Sequence, residues 1–473
     1  MPSGSPEPGR LSRARSTRLQ AFGVLTGSWG AFRSVGPGAR AVIITRLLRS
    51  VGQGALLTTL ALYLSALGWS GLAIGALLTG GGLFNTAVSL GAGVTSDRTR
   101  RKPFLVAIEG LYLVAGVVAA LTTAPILLVP AAVLGGFGRG QGGVPGPFAS
   151  TASAWLAAET PVGERQRIYG LAAAVGFFGL GLGALVAAAT APLVHAFGAA
   201  GYRPLFGLVA VLSAACGMIM VRAPEAPRQP TAQPRRQLPA PGAARPRRLA
   251  AGSTAGFIFR YSLTNILNGV AVGLVGPLAA YWFALKFHVG SGQIGLLFGI
   301  TFFVTAASSL IQGEVGTRVG MVRMVVRARL VGLVLLLAIP FSPFFWMAAL
   351  FYVARSAVNR GTMGPRSALV VAAVPDRRRA TALSISGGAM QISGAAGPTV
   401  AGALFDSGQL DLPFLVAVVL QGAYVALFHA FFAKYDQIED GPGYPSQPRS
   451  NLPPDLVEAT EPMVAPVNGP RTL

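Results

Sequence analysis

The chain has 473 residues and a net charge of +22, and 52% of its residues are apolar while only 11% are charged. A soluble domain of this size cannot bury so many apolar side chains, so the composition argues against a soluble enzyme. The length accommodates about a dozen membrane-crossing segments of roughly 20 residues each, and in such a chain the basic excess reflects topology and not nucleic-acid binding. With one cysteine and three scattered histidines, we expect no disulfide, metal site, cofactor or catalytic group.

The first 40 residues are rich in Arg, Gly, Pro and Ser, which predicts a disordered cytoplasmic arm over residues 1–40. The same composition also fits an organellar transit peptide. Twelve apolar segments follow, each long enough to cross a bilayer as a helix that rises about 1.5 Å per residue. Their predicted bounds are 41–67, 71–93, 104–123, 126–156, 168–194, 204–221, 256–283, 294–313, 322–339, 344–373, 380–405 and 412–432.

Residues 223–250 contain seven prolines and six arginines and few apolar side chains, so we expect a flexible, basic cytoplasmic linker there. This linker divides the spans into an amino-terminal six-helix bundle over residues 41–222 and a carboxy-terminal one over residues 251–434. A disordered cytoplasmic tail over residues 435–473 follows. The basic residues of the linker and loops would also attract anionic lipid headgroups.

Basic residues are distributed unequally between the two sets of loops. If the amino terminus is inside, the inner loops carry clusters near residues 98–102, 165–167, 318–323 and 377–379. The outer loops carry only Arg203 and Lys286. This asymmetry predicts a multi-pass protein of the plasma or inner membrane with both termini in the cytoplasm.

Two of the inner loops share a pattern at a constant offset. Gly93 and Gly313 are 220 residues apart, and so are Arg98 and Arg318. Together with the division by the linker, this offset indicates a duplicated half and therefore two pseudo-symmetric bundles.

The loop after the second span resembles the signature Gly-x-x-x-Asp-Arg-x-Gly-Arg-Arg/Lys of the major facilitator superfamily of secondary transporters. It departs from the signature at Arg100, which stands in the glycine place, and the second loop has Thr317 in place of the aspartate. The resemblance covers residues 41–434 and implies an all-α integral membrane fold with about twelve transmembrane helices in two pseudo-symmetric six-helix bundles. The matching residues are Gly93, Asp97, Arg98, Arg101 and Lys102 in the first loop, and Gly313, Arg318 and Gly320 in the second.

The resemblance further implies that these residues form a gate. Asp97 would bridge to the opposite bundle and close the cytoplasmic side, while Arg98 and Arg101 brace it. The alternative is that the basic residues only anchor the loop and set the topology.

Polar residues inside the spans are costly in a bilayer, so they are candidates for substrate contacts. They fall in the first, fourth, seventh and tenth spans, which line the central cavity in the family. Arg139 and Arg355 lie near mid-depth, where we expect them to clamp the substrate, whereas Arg46 and Arg260 could extend to the nearby inner surface. The candidate substrate-binding residues are Arg49, Gln53, Arg139, Gln141, Asn265, Asn268, Arg355 and Asn359.

Acidic residues at comparable depth are few. Glu109 in the third span and Glu314 in the eighth are candidate proton carriers, and Glu109 could instead pair with the loop arginines. Because guanidinium groups bind carboxylates and phosphates, the cavity favours an organic anion. The sequence therefore predicts a monomeric transporter that moves a small organic anion by alternating access, with a coupling proton or ion as a further partner. The alternative is a proton-coupled exporter of lipophilic or cationic compounds.

Overall fold

The computed structural model of the chain describes residues 32, 35–96, 101–138, 147–160, 164–224, 254–315, 321–360, 362, 366, 369–370, 373–374, 376–433 and 435. All the regular elements in these residues are helices, which confirms the predicted all-α class. Seven helical stretches among them are long and apolar enough to cross a membrane.

The helices up to residue 222 are termed here the amino-terminal helices. The fourth predicted span contains two described helices: the first ends at Leu134, before a turn in which Gly136 and Gly138 have positive φ, and the second begins at Pro147. The amino-terminal helices are α1 (Pro37–Ala66), α2 (Gly71–Ser96), α3 (Arg101–Leu121), α4 (Pro125–Leu134), α5 (Pro147–Glu159), α6 (Arg165–Ala189), α7 (Ala191–Phe197), a 3-10 turn (Gly198–Tyr202) and α8 (Arg203–Arg222).

The helices from residue 254 onward are termed the carboxy-terminal helices. The eleventh predicted span is interrupted at Ala396, and Pro398 lies in the first turn of the helix that follows. Each of the twelve predicted spans contains one described helix or parts of two consecutive ones. The carboxy-terminal helices are α9 (Thr254–Val275), α10 (Ala279–Phe287), α11 (Ser291–Val315), α12 (Met321–Ala338), α13 (Phe345–Arg360), α14 (Asp376–Ala395), α15 (Gly397–Asp406) and α16 (Leu412–Phe432).

Glycines bring helix backbones into contact within each set of helices. In the amino-terminal helices, a Cβ atom added at Gly54 of α1 would overlap the backbone of Leu180 in α6. In the carboxy-terminal helices, a Cβ atom at Gly273 of α9 would overlap the backbone of Gly394 in α14. Small residues permit such close approach, which lets helices associate in lipid by van der Waals packing. We call these two contacts the inner seams.

The two most extensive contacts between the amino-terminal and the carboxy-terminal helices are also close. In one, α2 packs on α15, where a Cβ atom added at Gly75 would overlap the carbonyl oxygen of Pro398. In the other, α6 packs on α11, where a Cβ atom at Gly295 would lie 2.6 Å from the carbonyl oxygen of Ala184. Both contacts lie toward the end of the molecule where α2 and α11 begin, which we call the distal face.

Candidate functional site

The larger cavity lies among the carboxy-terminal helices and has a volume of about 140 Å³. Helices α9, α11, α12, α13 and α14 and the side chain of Arg366 enclose it. Its apolar wall includes Val272, Val275, Phe302 and Met390. The polar residues that line it are Asn268, Thr301, Thr305, Arg329, Tyr352, Arg355, Ser356, Asn359 and Arg366.

Arg329 of α12 is a buried arginine of this cavity, with 7% of its surface exposed. Its Nη1 atom donates a hydrogen bond to Oδ1 of Asn268 at 3.3 Å. Its guanidinium carbon lies 5.4 Å from the centre of the Tyr424 ring, within the range of a cation–π interaction. An amide and an aromatic ring therefore position this side chain, and neither of them cancels its charge.

Arg366 reaches the cavity from the chain segment that follows α13 and is 9% exposed. Its Nη2 atom donates a short hydrogen bond to Oδ1 of Asn265. Its guanidinium carbon lies 5.8 Å from the centre of the Tyr424 ring and 6.0 Å from that of Tyr261. The Tyr424 ring thus contacts two guanidinium groups.

The cavity wall is strongly basic. Arg329 experiences the charges of both Arg355 and Arg366, so the three guanidinium groups form one electrostatic cluster. None of the described residues that line the cavity is acidic. In a region of low dielectric constant such a cluster attracts anions strongly and repels cations.

A second, smaller cavity of about 30 Å³ lies among the amino-terminal helices. Arg49 and Gln53 of α1 line it together with Tyr112 of α3. Here the arginine is neutralised, because Nη1 of Arg49 lies 2.9 Å from Oε1 of Glu109 in a buried ion pair. The Arg49 guanidinium also lies 4.1 Å from the Tyr112 ring centre and 4.7 Å from that of Phe148.

The ion pair gives Glu109 a different partner from the one that the sequence suggested. Loop arginines were expected, because they are close to Glu109 along the chain. Instead α1 and α3 pack so that Arg49, 60 residues away, reaches the carboxylate. The side chain of Glu109 is fully buried, which makes a partner within the helices necessary.

The structure brings together some of the substrate-binding residues predicted from the sequence and separates others. Asn268, Arg355 and Asn359 line the larger cavity, and Asn265 supports Arg366 beside it. Arg49 and Gln53 line the smaller cavity. Arg139 and Gln141 lie outside the described residues.

Half of the eight predicted gate residues lie beyond the described part of the chain. Asp97, Arg98, Arg318 and Gly320 are outside it. Lys102 is described, and its Nζ atom donates to the carbonyl oxygen of Ala223 at 3.0 Å. For Gly93, Arg101, Gly313 and Glu314 only the helical backbone is described.

Sequence reasoning missed Arg329. The signal was present, because Arg329 interrupts an apolar span, and a charged residue there is costly without a functional or structural reason. The candidate substrate contacts were taken from the first, fourth, seventh and tenth spans, whereas Arg329 belongs to the ninth.

Comparisons with known proteins identify the family. The sequence model of the Major Facilitator Superfamily matches residues 42–265 and 261–460. The chain therefore belongs to the major facilitator superfamily of membrane transporters, as the signature loop predicts. A sequence search of curated proteins finds no match.

Solved structures of several transporters are similar to this one. They include the nucleoside transporter NupG, with a TM-score of 0.60 and 16% identity over 85% of this chain and 99% of that one. A bacterial homologue of the human lysosomal transporter Spinster, inward-facing and occupied, has a TM-score of 0.65 and 15% identity over 86% and 98%. The human organic anion transporter MFSD10 has a TM-score of 0.57 and 16% identity over 83% and 100%. At these identities the similarity establishes the fold.

Proposed function

We propose that this transporter carries a small organic anion, bound in the cavity of the carboxy-terminal helices. The observation that carries the proposal is the cluster of Arg329, Arg355 and Arg366 on a wall whose described residues include no acid. Guanidinium groups present a planar fork of donors that fits a carboxylate or a phosphate.

The remaining polar residues of the cavity would orient the anion. Asn359 and Ser356 lie on the same helix as Arg355 and would bind polar substituents of the anion. Val272, Phe302 and Tyr352 would contact its carbon skeleton. Asn265 and Asn268 would act by positioning, because their Oδ1 atoms already accept hydrogen bonds from Arg366 and Arg329.

Transport would follow from motion of one bundle against the other. We propose that the bundles are residues 41–222 and 251–434, joined by the linker 223–250, and that they rock about the cavity. Arg139 and Gln141 would complete the binding site from the amino-terminal bundle, and the loop with Asp97 would close the cytoplasmic side. In this proposal both termini are cytoplasmic and the protein is a monomer in the plasma or inner membrane.

The proposal is tested by the thermal stability of the purified protein with candidate ligands. A panel of succinate, citrate, inorganic phosphate, glucose and tetraphenylphosphonium covers anions, a sugar and a lipophilic cation. A ligand at 100 times its Kd stabilises the folded protein by about 2.7 kcal/mol. We expect stabilisation by at least one anion, and its loss in Arg329→Gln, Arg355→Gln and Arg366→Gln.

Arg260→Gln is the matched control. Arg260 is exposed on α9 and its guanidinium lies 5.7 Å from the Phe431 ring centre, away from the cavity. This variant should keep the anion response of the unmodified protein. Stabilisation by tetraphenylphosphonium alone, unchanged in the cavity variants, would contradict the proposal.

That outcome would favour the second candidate, a proton-coupled exporter of lipophilic or cationic compounds. Its specific support is the buried carboxyl group of Glu109, which is 1% exposed and is paired with Arg49. The charge of the larger cavity argues against it, because three guanidinium groups repel a cation.

A further inference from the structure

The arginines of the two cavities differ in how their charge is balanced. In the amino-terminal helices, Arg49 is paired with Glu109 at 2.9 Å. In the carboxy-terminal helices, Arg329 and Arg366 donate to the neutral amides of Asn268 and Asn265. The first cavity therefore carries its own counter-charge, whereas the described residues that line the second include no acid.

The acidic side chains that the structure describes among the carboxy-terminal helices lie elsewhere. Two of them are described after residue 253, and both are engaged at the distal face. Asp406 accepts hydrogen bonds from the start of α2, and Asp411 forms an ion pair with Lys286 at 2.6 Å. Within the described part of the chain, the positive charge of Arg329 and Arg366 is left uncompensated.

Uncompensated charge has a consequence for transport. While the cavity is open to water, hydration stabilises the guanidinium groups. When access switches from one side to the other, the cavity passes through a state closed to both, and that water is lost. An uncompensated charge in such a state is strongly disfavoured, whereas a charge paired with a bound anion is not.

We infer that the protein is an obligatory exchanger of multiply charged anions, in which the cavity changes sides only when an anion occupies it. The inference rests on the proposed function, since it takes the cavity to be the binding site. More than one negative charge is needed, because at least two guanidinium groups require neutralisation. Short dicarboxylates and phosphate esters are the chemical class that meets this requirement in a cavity of this size.

The test is counterflow in vesicles that contain the purified full-length protein. Uptake of radiolabelled succinate, and in parallel of inorganic phosphate, is compared between vesicles loaded with the same unlabelled anion and vesicles loaded with a neutral sugar. For at least one probe we expect uptake at least about tenfold faster into the anion-loaded vesicles. Without an anion inside, the empty cavity must change sides with its positive charge in a region of low dielectric constant, and this step is slow.

The second part of the experiment repeats the uptake measurements with variants that remove positive charge from the cavity. In Arg329→Gln and Arg366→Gln the empty cavity carries less charge, so the ratio of uptake into loaded and empty vesicles should fall toward one even where the absolute rate decreases. Arg260→Gln should keep the ratio of the unmodified protein. A structural defect would lower both rates together and leave the ratio unchanged, and that result would contradict the inference.

The remaining outcomes separate this inference from the proposed function. If an anion stabilises the protein and enters empty vesicles as fast as loaded ones, the inference of obligatory exchange is wrong, while the proposed function of anion transport is supported. If neither probe nor any other anion of the panel binds, both are wrong.

Discussion

The carboxylate of Asp406 caps the first turn of α2. Its Oδ1 atom accepts a hydrogen bond from the backbone N–H of Gly71 at 2.7 Å, and its Oδ2 atom accepts one from Leu72 at 2.8 Å. Free N–H groups at the start of a helix favour a negatively charged acceptor. Because Asp406 ends α15, this cap joins the carboxy-terminal to the amino-terminal helices, and opening of the distal face must break it.

We therefore expect Asp406→Ala, which removes both acceptor oxygens, to shift the protein toward states in which the distal face is open. Loss of a partly exposed helix cap costs about 1 kcal/mol, which corresponds to roughly a fivefold change in population. The measurement is the rate at which a membrane-impermeant maleimide labels Thr79→Cys, since Thr79 accepts a hydrogen bond from Thr399 in the contact between α2 and α15. The native Cys216 is fully buried and should not react.

Asp411→Ala is the control for this prediction. Asp411 also lies at the distal face, but it pairs with Lys286, and both belong to the carboxy-terminal helices. Its removal should leave the labelling rate unchanged. Equal acceleration in both variants would mean that general loosening, and not the cap, controls access.

The contact between α2 and α15 gives a second prediction. Gly75→Ala should prevent full closure of the distal face, because the added Cβ atom would overlap the carbonyl oxygen of Pro398. Gly80→Ala on the same helix meets no atom within 4 Å and should be neutral. Faster labelling of Thr79→Cys in the first variant but not in the second is the expected result, and equal labelling rates would disprove the steric argument.

The ion pair between Arg49 and Glu109 gives a third prediction, on stability. Removal of one partner leaves a buried charge uncompensated, so Glu109→Gln should destabilise the protein by about 3–5 kcal/mol. The double substitution Arg49→Met with Glu109→Met removes both charges and should recover much of this loss. Thermal unfolding of the purified variants measures both effects. A double variant as unstable as the single one would show that packing and not charge dominates.

A fourth prediction concerns the ring that contacts Arg329 and Arg366. Tyr424→Leu removes two cation–π contacts of about 0.5–2 kcal/mol each and should weaken anion binding about tenfold. Tyr424→Phe keeps the ring and should bind anions normally, since the Tyr424 hydroxyl makes no hydrogen bond within the described residues. Anion titrations monitored by thermal stability distinguish the two. Equal weakening would assign the role to the hydroxyl group.

The architecture could be read from the sequence because its determinants are local. An apolar run of sufficient length predicts a helix wherever it packs, and all twelve runs contain helices. The breaks inside the fourth and eleventh runs were not predicted. Pro398 marks the second break, but a proline in a membrane helix can be tolerated when neighbouring groups satisfy the freed carbonyls. The first break begins at a turn in which Gly136 and Gly138 have positive φ, and glycines are also common inside membrane helices.

The candidate site was less accessible to sequence reasoning because it depends on packing. Asn268, a predicted substrate contact, accepts a hydrogen bond from Arg329, 61 residues away, and the sequence did not indicate this pairing. The sequence likewise did not indicate that Arg49, another predicted contact, pairs with Glu109. Which polar residues pair with one another is decided by how helices lie side by side, and neither spacing nor composition contains that information.

The inner seams limit what can move. Backbone touches backbone where Gly54 meets Leu180 and where Gly273 meets Gly394, so no flexible side chain is available there to absorb a sliding displacement. Helices α1 and α6 must therefore travel as one lever, and α9 and α14 as another. Any rotation of one lever displaces its far end more than its pivot. Asn265 and Asn268 of α9 hold Arg366 and Arg329 of the larger cavity, so the hydrogen bonds that position these two cationic groups move with the second lever.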